Sequence, residues 1–350
     1  MAFAWIKLLK ELSPVALTVR AQTLSKLDMG RMVWDTYFPR VNVDSVRLAD
    51  ITTLDDRAVA DRRDWNAPGR IIPLSIPNWR QMEMVPIEAT HTIDEREMQL
   101  VMEGSFANSE TVQRVLGSRI PDRVEKLAMA DLRRLEMDAM SAWANGTVVV
   151  RNPQDGTSYT VSFGFDSARY PTAGTAWNDG SVNAYNLFMT AFAAAEDAVG
   201  PLKGVRMSRT VQNVILADAP NLPNSVAMTR SELADRISQD AGSPFMFDIA
   251  EDSYDVFDDG GLTKTRTKAW PVGKVAFIPS DGVVGNTYFA PVYRAQEMAA
   301  SMPGAGIDVR GTTVYYHEKN DGKELQIDCQ LNALSVPDEQ RLYVVATGVS

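Results

Sequence analysis

Cysteine and histidine are almost missing from this chain. Its 350 residues include one cysteine, Cys329, and two histidines, His91 and His317. An intrachain disulfide is therefore impossible, and zinc sites of the common kinds, which need several Cys or His ligands, cannot be built. A nucleophilic triad would have to use His91 or His317, and neither stands beside recognisable partners. Both read as structural or surface residues. Cys329 sits in the β-type run Ile327–Leu331 and reads as a small buried residue.

Other absences narrow the field further. No glycine-rich phosphate loop is present, because Gly200–Arg206 lacks the Lys and Ser/Thr spacing that wraps phosphates in backbone N–H groups. No dinucleotide fingerprint follows a strand, and no nucleophile elbow occurs. The acidic group Glu251, Asp252, Asp255, Asp258 and Asp259 could attract a hard cation, but its spacing is not that of a calcium loop, so a solvated hairpin is expected. No cofactor, metal or catalytic residue is expected. No apolar run approaches the roughly 20 residues of a membrane span. The apolar start of the chain is broken by Lys7, Lys10 and Glu11, unlike a signal peptide. Residues 3–12 read as a short arm docking on protein; a membrane anchor is the alternative, disfavoured because the segment is brief and weakly basic.

What is present is an ordinary globular composition, 45% hydrophobic and 23% charged, with a net charge of -10. A packed core is expected. A protein whose main task is gripping nucleic acid would need clustered Lys and Arg, and here these are interspersed with acids.

The chain reads as α+β. Residues 1–33 look like an N-terminal arm with one or two short helices. Residues 34–54 carry a strand-like signal, with Val41, Val43 and Val46 partly alternating. Residues 55–92 are rich in Arg, Asp and Pro, which suits a long two-stranded excursion with a charged tip. Such a ribbon is marginal alone and usually needs another surface to lie on. The longest helical signal spans 109–145. Gly117–Pro121 is a point where it could break, and Val124, Leu127, Ala128, Leu132, Leu135, Ala139 and Ala142 form one apolar stripe. The other face, with Arg123, Glu125, Lys126, Asp131, Arg133, Arg134, Glu136 and Asp138, reads as solvated. A hairpin over 147–163, a polar loop over 164–180 with Trp177, and a helix over 182–199 ended by Gly200-Pro201 follow. Further on lie a strand at 205–208, short helices at 210–218 and 231–239, a hairpin around 258–261, and strands at 274–278, 312–317, 324–334 and 341–346.

The order of these features resembles the lambda-type major capsid protein family of tailed bacteriophages, with its Hong Kong 97-type shell fold. The segments that carry the likeness are Val161-Ser-Phe-Gly164, Gly174-Thr-Ala-Trp177, Trp270–Pro279, Gly285-Asn-Thr287 and Ala333–Glu339, in that order. The resemblance covers nearly the whole chain, and the ordered set carries it rather than any one motif. It implies a shell protein that assembles with itself as pentamers and hexamers around double-stranded DNA, without sequence-specific binding and without a membrane. Scaffolding, portal and decoration or cement proteins are the further partners it implies. The location would be the virion, with assembly in the host cytoplasm. The implied parts are an arm at 1–33, an extended loop at 55–92, and an axial domain at 182–332. A peripheral domain would comprise 34–54, 93–181 (with the spine helix 109–145) and 333–350. Some relatives cross-link through a Lys in the extended loop; 55–92 contains none, so that chemistry is not expected here. Arg57, Arg62, Arg63 and Arg70, with Trp65 as an aromatic anchor, are the expected contacts to a neighbouring subunit. A nucleic-acid-organising oligomer and an α+β enzyme with an unrecognised site are the alternatives.

Overall fold

In a computed structural model of the chain, the described residues are 13–29, 32–52, 78–93, 109–151, 158–219, 229–241, 244–257, 264–319 and 324–349. In chain order they begin with helices α1 (Pro14–Met29) and α2 (Val33–Tyr37) and strands β1 (Arg40–Asn42), β2 (Arg47–Thr52), β3 (Asn78–Glu83) and β4 (Ile87–Ile93). The long helix α3 (Ser109–Asn145) comes next, then hairpin strands β5 (Thr147–Arg151) and β6 (Ser158–Ser162), helix α4 (Ala184–Val199), strand β7 (Leu202–Ser208), and helices α5 (Arg209–Ala217) and α6 (Arg230–Ala241). Strands β8 (Met246–Ala250), β9 (Ser253–Phe257), β10 (Lys264–Lys268), β11 (Lys274–Pro279) and β12 (Gly285–Phe289) precede helix α7 (Tyr293–Ser301). The remaining strands are β13 (Thr313–Lys319), β14 (Glu324–Leu331), β15 (Ala333–Pro337) and β16 (Val344–Ala346).

The middle layer is a four-stranded sheet in the order β16-β11-β7-β8, with β7 and β8 parallel and the other pairs antiparallel. Successive side chains of a strand point to opposite faces, and here both faces are buried. Val205 and Met207 of β7 and Val275 and Phe277 of β11 join one core with Phe188 and Phe192 of α4, Val211 and Ile215 of α5, and Leu233 and Ile237 of α6. Ala276 and Ile278 of β11 join a second core on the other face, with Trp34, Tyr37, Phe38, Leu132, Leu135, Met140, Trp143 and Trp270. Helix α4 forms because its apolar residues recur every three or four positions, Asn183 caps it by accepting the Asn186 N–H, and Gly200 (φ 100°) ends it.

A second sheet, β13-β14-β4, is antiparallel throughout. Leu325, Ile327 and Cys329 of β14 pack with Val124 and Ala128 of α3 and with Leu17 and Ala21 of α1. A third sheet, β1-β12-β15, brings residues 40–42 parallel to 287–289.

Five expectations need correction. Helix α3 runs unbroken through Pro121; the proline removes one backbone hydrogen bond from a 37-residue helix, and the rest of the element carries it across. The face expected to be solvated is partly buried: Asp131 is 1% and Glu136 0% exposed. Both point into protein because sheets and α2 surround the C-terminal half of α3, leaving no continuous wet face. Within the expected arm, residues 14–29 lie on the chain's own body. The Thr18 hydroxyl donates to the Val314 carbonyl and accepts the Val314 N–H, and the Gln22 amide donates to the Asp308 carbonyl at 2.7 Å. Residues 33–37 are helical rather than extended, their aromatics being drawn into the core by burial. The strand expected over 324–334 is two strands, because the chain turns at Asn332 to bring β15 onto β12.

Candidate assembly site

Among the described residues the two strands β2 and β3 pair only with each other, in register from Arg47 opposite Glu83 to Thr52 opposite Asn78. Their root is fastened to the body. Leu48 and Met84 are buried with Ala142 of α3, Val148, Phe163, Ala290 and Val336. The Val43 N–H donates to the Phe289 carbonyl at 3.0 Å, and the Met84 N–H to the Val46 carbonyl at 2.8 Å. Arg310 clamps the approach to β2, donating from Nε to the Val43 carbonyl at 2.9 Å and pairing with Asp44. Arg40 pairs with Asp308 at 3.1 Å and lies over the Phe289 ring. Thr52 and Asn78 face each other at the end of the paired strands away from this root. Strand β4 lies within the expected 55–92 excursion yet belongs to the β13-β14-β4 sheet, so the paired ribbon observed is 47–52 with 78–83.

The residues expected to touch a neighbour, Arg57, Arg62, Arg63, Trp65 and Arg70, lie outside the described residues.

The groups screened for chemistry fall into structural roles. The Cys329 thiol is buried, 3.9 Å from the Val124 carbonyl, and burial pushes its pKa far up, reinforced by Asp131 and Asp328. His317 is half-exposed and stands 3.2 Å from the buried Asp328 carboxylate, which accepts from Thr90 and Gln326. His91 lies 2.9 Å from Arg123. In the acidic group, Glu251 pairs with Arg209, Asp252 with Arg206, and Asp255 with Lys264. Among the described residues no cluster of His, Cys, Asp and Glu is arranged to hold a metal ion. Among them, too, no helix is long and apolar enough to cross a membrane.

One cluster was not visible in the sequence. Arg206 of β7, 1% exposed, projects from the middle sheet into the core beneath α3. It pairs with Asp248, its register partner on β8, and reaches to 3.6 Å from Asp252. The Tyr37 hydroxyl donates to the same Asp248 oxygen at 2.5 Å, and the guanidinium lies 5.4 Å from the Trp270 ring centre. Glu136 of α3 accepts the Trp34 backbone N–H at 2.9 Å. Burial pushes the Glu136 carboxyl up to about 7, against the lowering effects of the Trp34 N–H and Arg206. The only advance signal was an acid, Glu136, one residue from the apolar stripe at Leu135.

A long helix backed by an antiparallel sheet, a fastened two-stranded ribbon and a separate sheet with its own helical layer is the Hong Kong 97-type capsid fold. The comparison that carries this is with the crystal structure of a candidate prophage capsid protein from E. coli CFT073. It aligns over 89% of this chain and 92% of that one, with a TM-score of 0.54 and 13% identity. A phage-related protein from Bordetella bronchiseptica RB50 aligns over 95% and 96% at 11% identity and a TM-score of 0.47. The capsid of Myoviridae phage XM1 aligns over 89% and 90% at 10% and 0.46. No family model and no curated protein sequence matches the chain.

Proposed function

We propose that this chain is the major capsid protein of a tailed bacteriophage, which assembles with copies of itself into an icosahedral shell around packaged double-stranded DNA. It is a structural protein and not an enzyme. The supporting observation is the shell fold over nearly the whole chain, combined with a ribbon whose root is buried and whose strands, among the described residues, pair only with each other. Permanent subunit interfaces bury roughly 2,000–5,000 Å². A projecting ribbon adds such area without enlarging the core. On this reading residues 55–77 of the expected 55–92 loop lie on a neighbouring subunit, with Arg57, Arg62, Arg63 and Arg70 pairing to carboxylates and Trp65 anchoring between them. The division into a peripheral part, 34–54 with 93–181 and 333–350, and an axial part, 182–332, belongs to the same reading, with the axial parts meeting around five-fold and six-fold axes. So do the virion as its location, assembly in the host cytoplasm, and the use of scaffolding, portal or decoration proteins.

The test is the size of the purified protein. Electron microscopy is expected to show rings, shells or sheets. A small oligomer with tight, salt-sensitive DNA binding would overturn the proposal.

A further inference from the structure

Charge is poorly balanced in the cluster beneath α3. Three carboxylates, Glu136, Asp248 and Asp252, share one buried guanidinium, Arg206, and the other cation nearby, Arg133, is exposed. The carboxylates differ in their access to water. The Asp252 side chain is 43% and the Asp248 side chain 23% exposed, so both can keep part of their hydration. Glu136 is 0% exposed. One of its oxygens accepts the Trp34 N–H, while the other, Oε1, has no hydrogen-bond partner among the described residues. Among those residues the buried indole nitrogens of Trp34 and Trp143 and the Nε of Arg206 are likewise without partners. A buried, half-satisfied carboxylate in a site already carrying excess negative charge is the place where a proton is held most readily.

The cluster also joins parts of the chain that are otherwise distinct. Glu136 belongs to the long helix, Trp34 and Tyr37 to α2, Arg206 and Asp248 to the middle sheet. The groups acting on Glu136 are Arg206 from β7, Asp248 from β8, Asp252 from the β8–β9 turn and the Trp34 amide from α2; Tyr254 of β9 stands in the field of both Glu136 and Arg133, and Tyr37 of α2 is bonded to Asp248.

We propose that Glu136, Arg206, Asp248 and Asp252 form a proton-operated latch between α3, α2 and the β7–β8 edge of the middle sheet. With the proton on Glu136 the seam is tight. When that proton leaves to solvent, an ionised carboxylate remains in a dry site facing Asp248 and Asp252, and the seam loosens. The direction follows from linkage. Glu136 binds its proton more firmly folded, at about 7, than at its ordinary 4.5. Its contribution is fully present below pH 4.5 and is lost as pH rises toward and through 7. The inference concerns the chain's own junction and does not depend on shell assembly.

The test is amide hydrogen exchange on the unassembled full-length chain at pH 5 and pH 8, corrected for intrinsic rates. Protection of residues 33–37 and 204–208 is expected to fall at least about tenfold between the two, given the size of the displacement. In Glu136→Gln, which keeps the acceptor but cannot ionise, most of that fall in protection should disappear. Equal protection in the unaltered chain, or an undiminished fall in Glu136→Gln, overturns the proposal. If Glu136→Gln does not fold, carboxyl ¹³C titration of the unaltered chain decides. One glutamate titrating near neutrality supports the latch, and a full set titrating in the ordinary carboxylate range rejects it.

Discussion

Arg206 and Asp248 stand opposite each other on adjacent parallel strands, and their ion pair is closed over by Tyr37 and Trp270. Removing the buried guanidinium leaves Asp248, whose side chain is 23% exposed, with partial hydration in place of its ion pair. Arg206→Ala is expected to lower unfolding stability by about 1–3 kcal/mol. Denaturant unfolding of the purified variant measures this, and a loss below about 1 kcal/mol would show that water compensates Asp248.

Asp131 gives a second expectation, this one graded with pH. Its carboxyl is buried against the β13-β14-β4 sheet, neither oxygen has a hydrogen-bond partner among the described residues, and desolvation, then the nearby Glu88, raises its pKa well above 3.8. A raised carboxyl favours the fold below its unfolded value and progressively less as pH rises. Asp131→Asn should therefore match the unaltered chain near pH 3.8 and exceed it increasingly toward pH 8. Melting temperatures across that range check it, and a constant difference would count against it.

Gly285 touches its neighbour strand with no room to spare. A Cβ there would meet the Val336 carbonyl oxygen at 2.3 Å and the Pro337 Cα at 2.6 Å, both backbone atoms that cannot swing aside. Gly285→Ala is expected to force β12 from β15 and cost about 1–3 kcal/mol. A chemical-denaturation midpoint equal to the original would contradict the contact.

Cys329 should be inert in the folded chain. Its thiol is buried and its pKa displaced upward, so thiolate is scarce and shielded. A thiol reagent at pH 8 should label it only after denaturant is added; rapid labelling of the native chain would show local opening of β14.

The proposed subunit contact can be examined separately from the fold. Arg62→Glu combined with Arg63→Glu should leave circular dichroism and melting unchanged while abolishing shell formation in micrographs. Normal shells from the double variant would remove these arginines from the interface.

Much of this architecture was legible in advance where one element satisfies itself. The α4 stripe at Phe188, Ala191, Phe192 and Ala195 marks a helix face wherever that helix goes. The hairpin 147–163 announces itself through β-branched runs around a turn. The order of elements pointed to the shell fold. Pairings between distant segments were not legible: nothing in Arg40–Asn42 says that it lies parallel to Thr287–Phe289. The α3 charges misled for a physical reason. Asp131 and Glu136 look like members of a wet face because charged residues usually are, yet a helix wrapped on several sides has too little wet face to hold them all. Arg206 was read simply as the middle of a strand, since a sheet buried on both faces leaves no alternation by which to detect a lone inward cation.

The position of β16 bears on when the chain can finish folding. Val344 and Val345 fill opposite faces of the middle sheet, and Val349 seals the helical side. Both large cores thus stay open until residues 344–349 have emerged from the ribosome. A nascent chain lacks these closing pieces, so on the proposed shell reading productive encounters between copies are postponed until translation has passed this point.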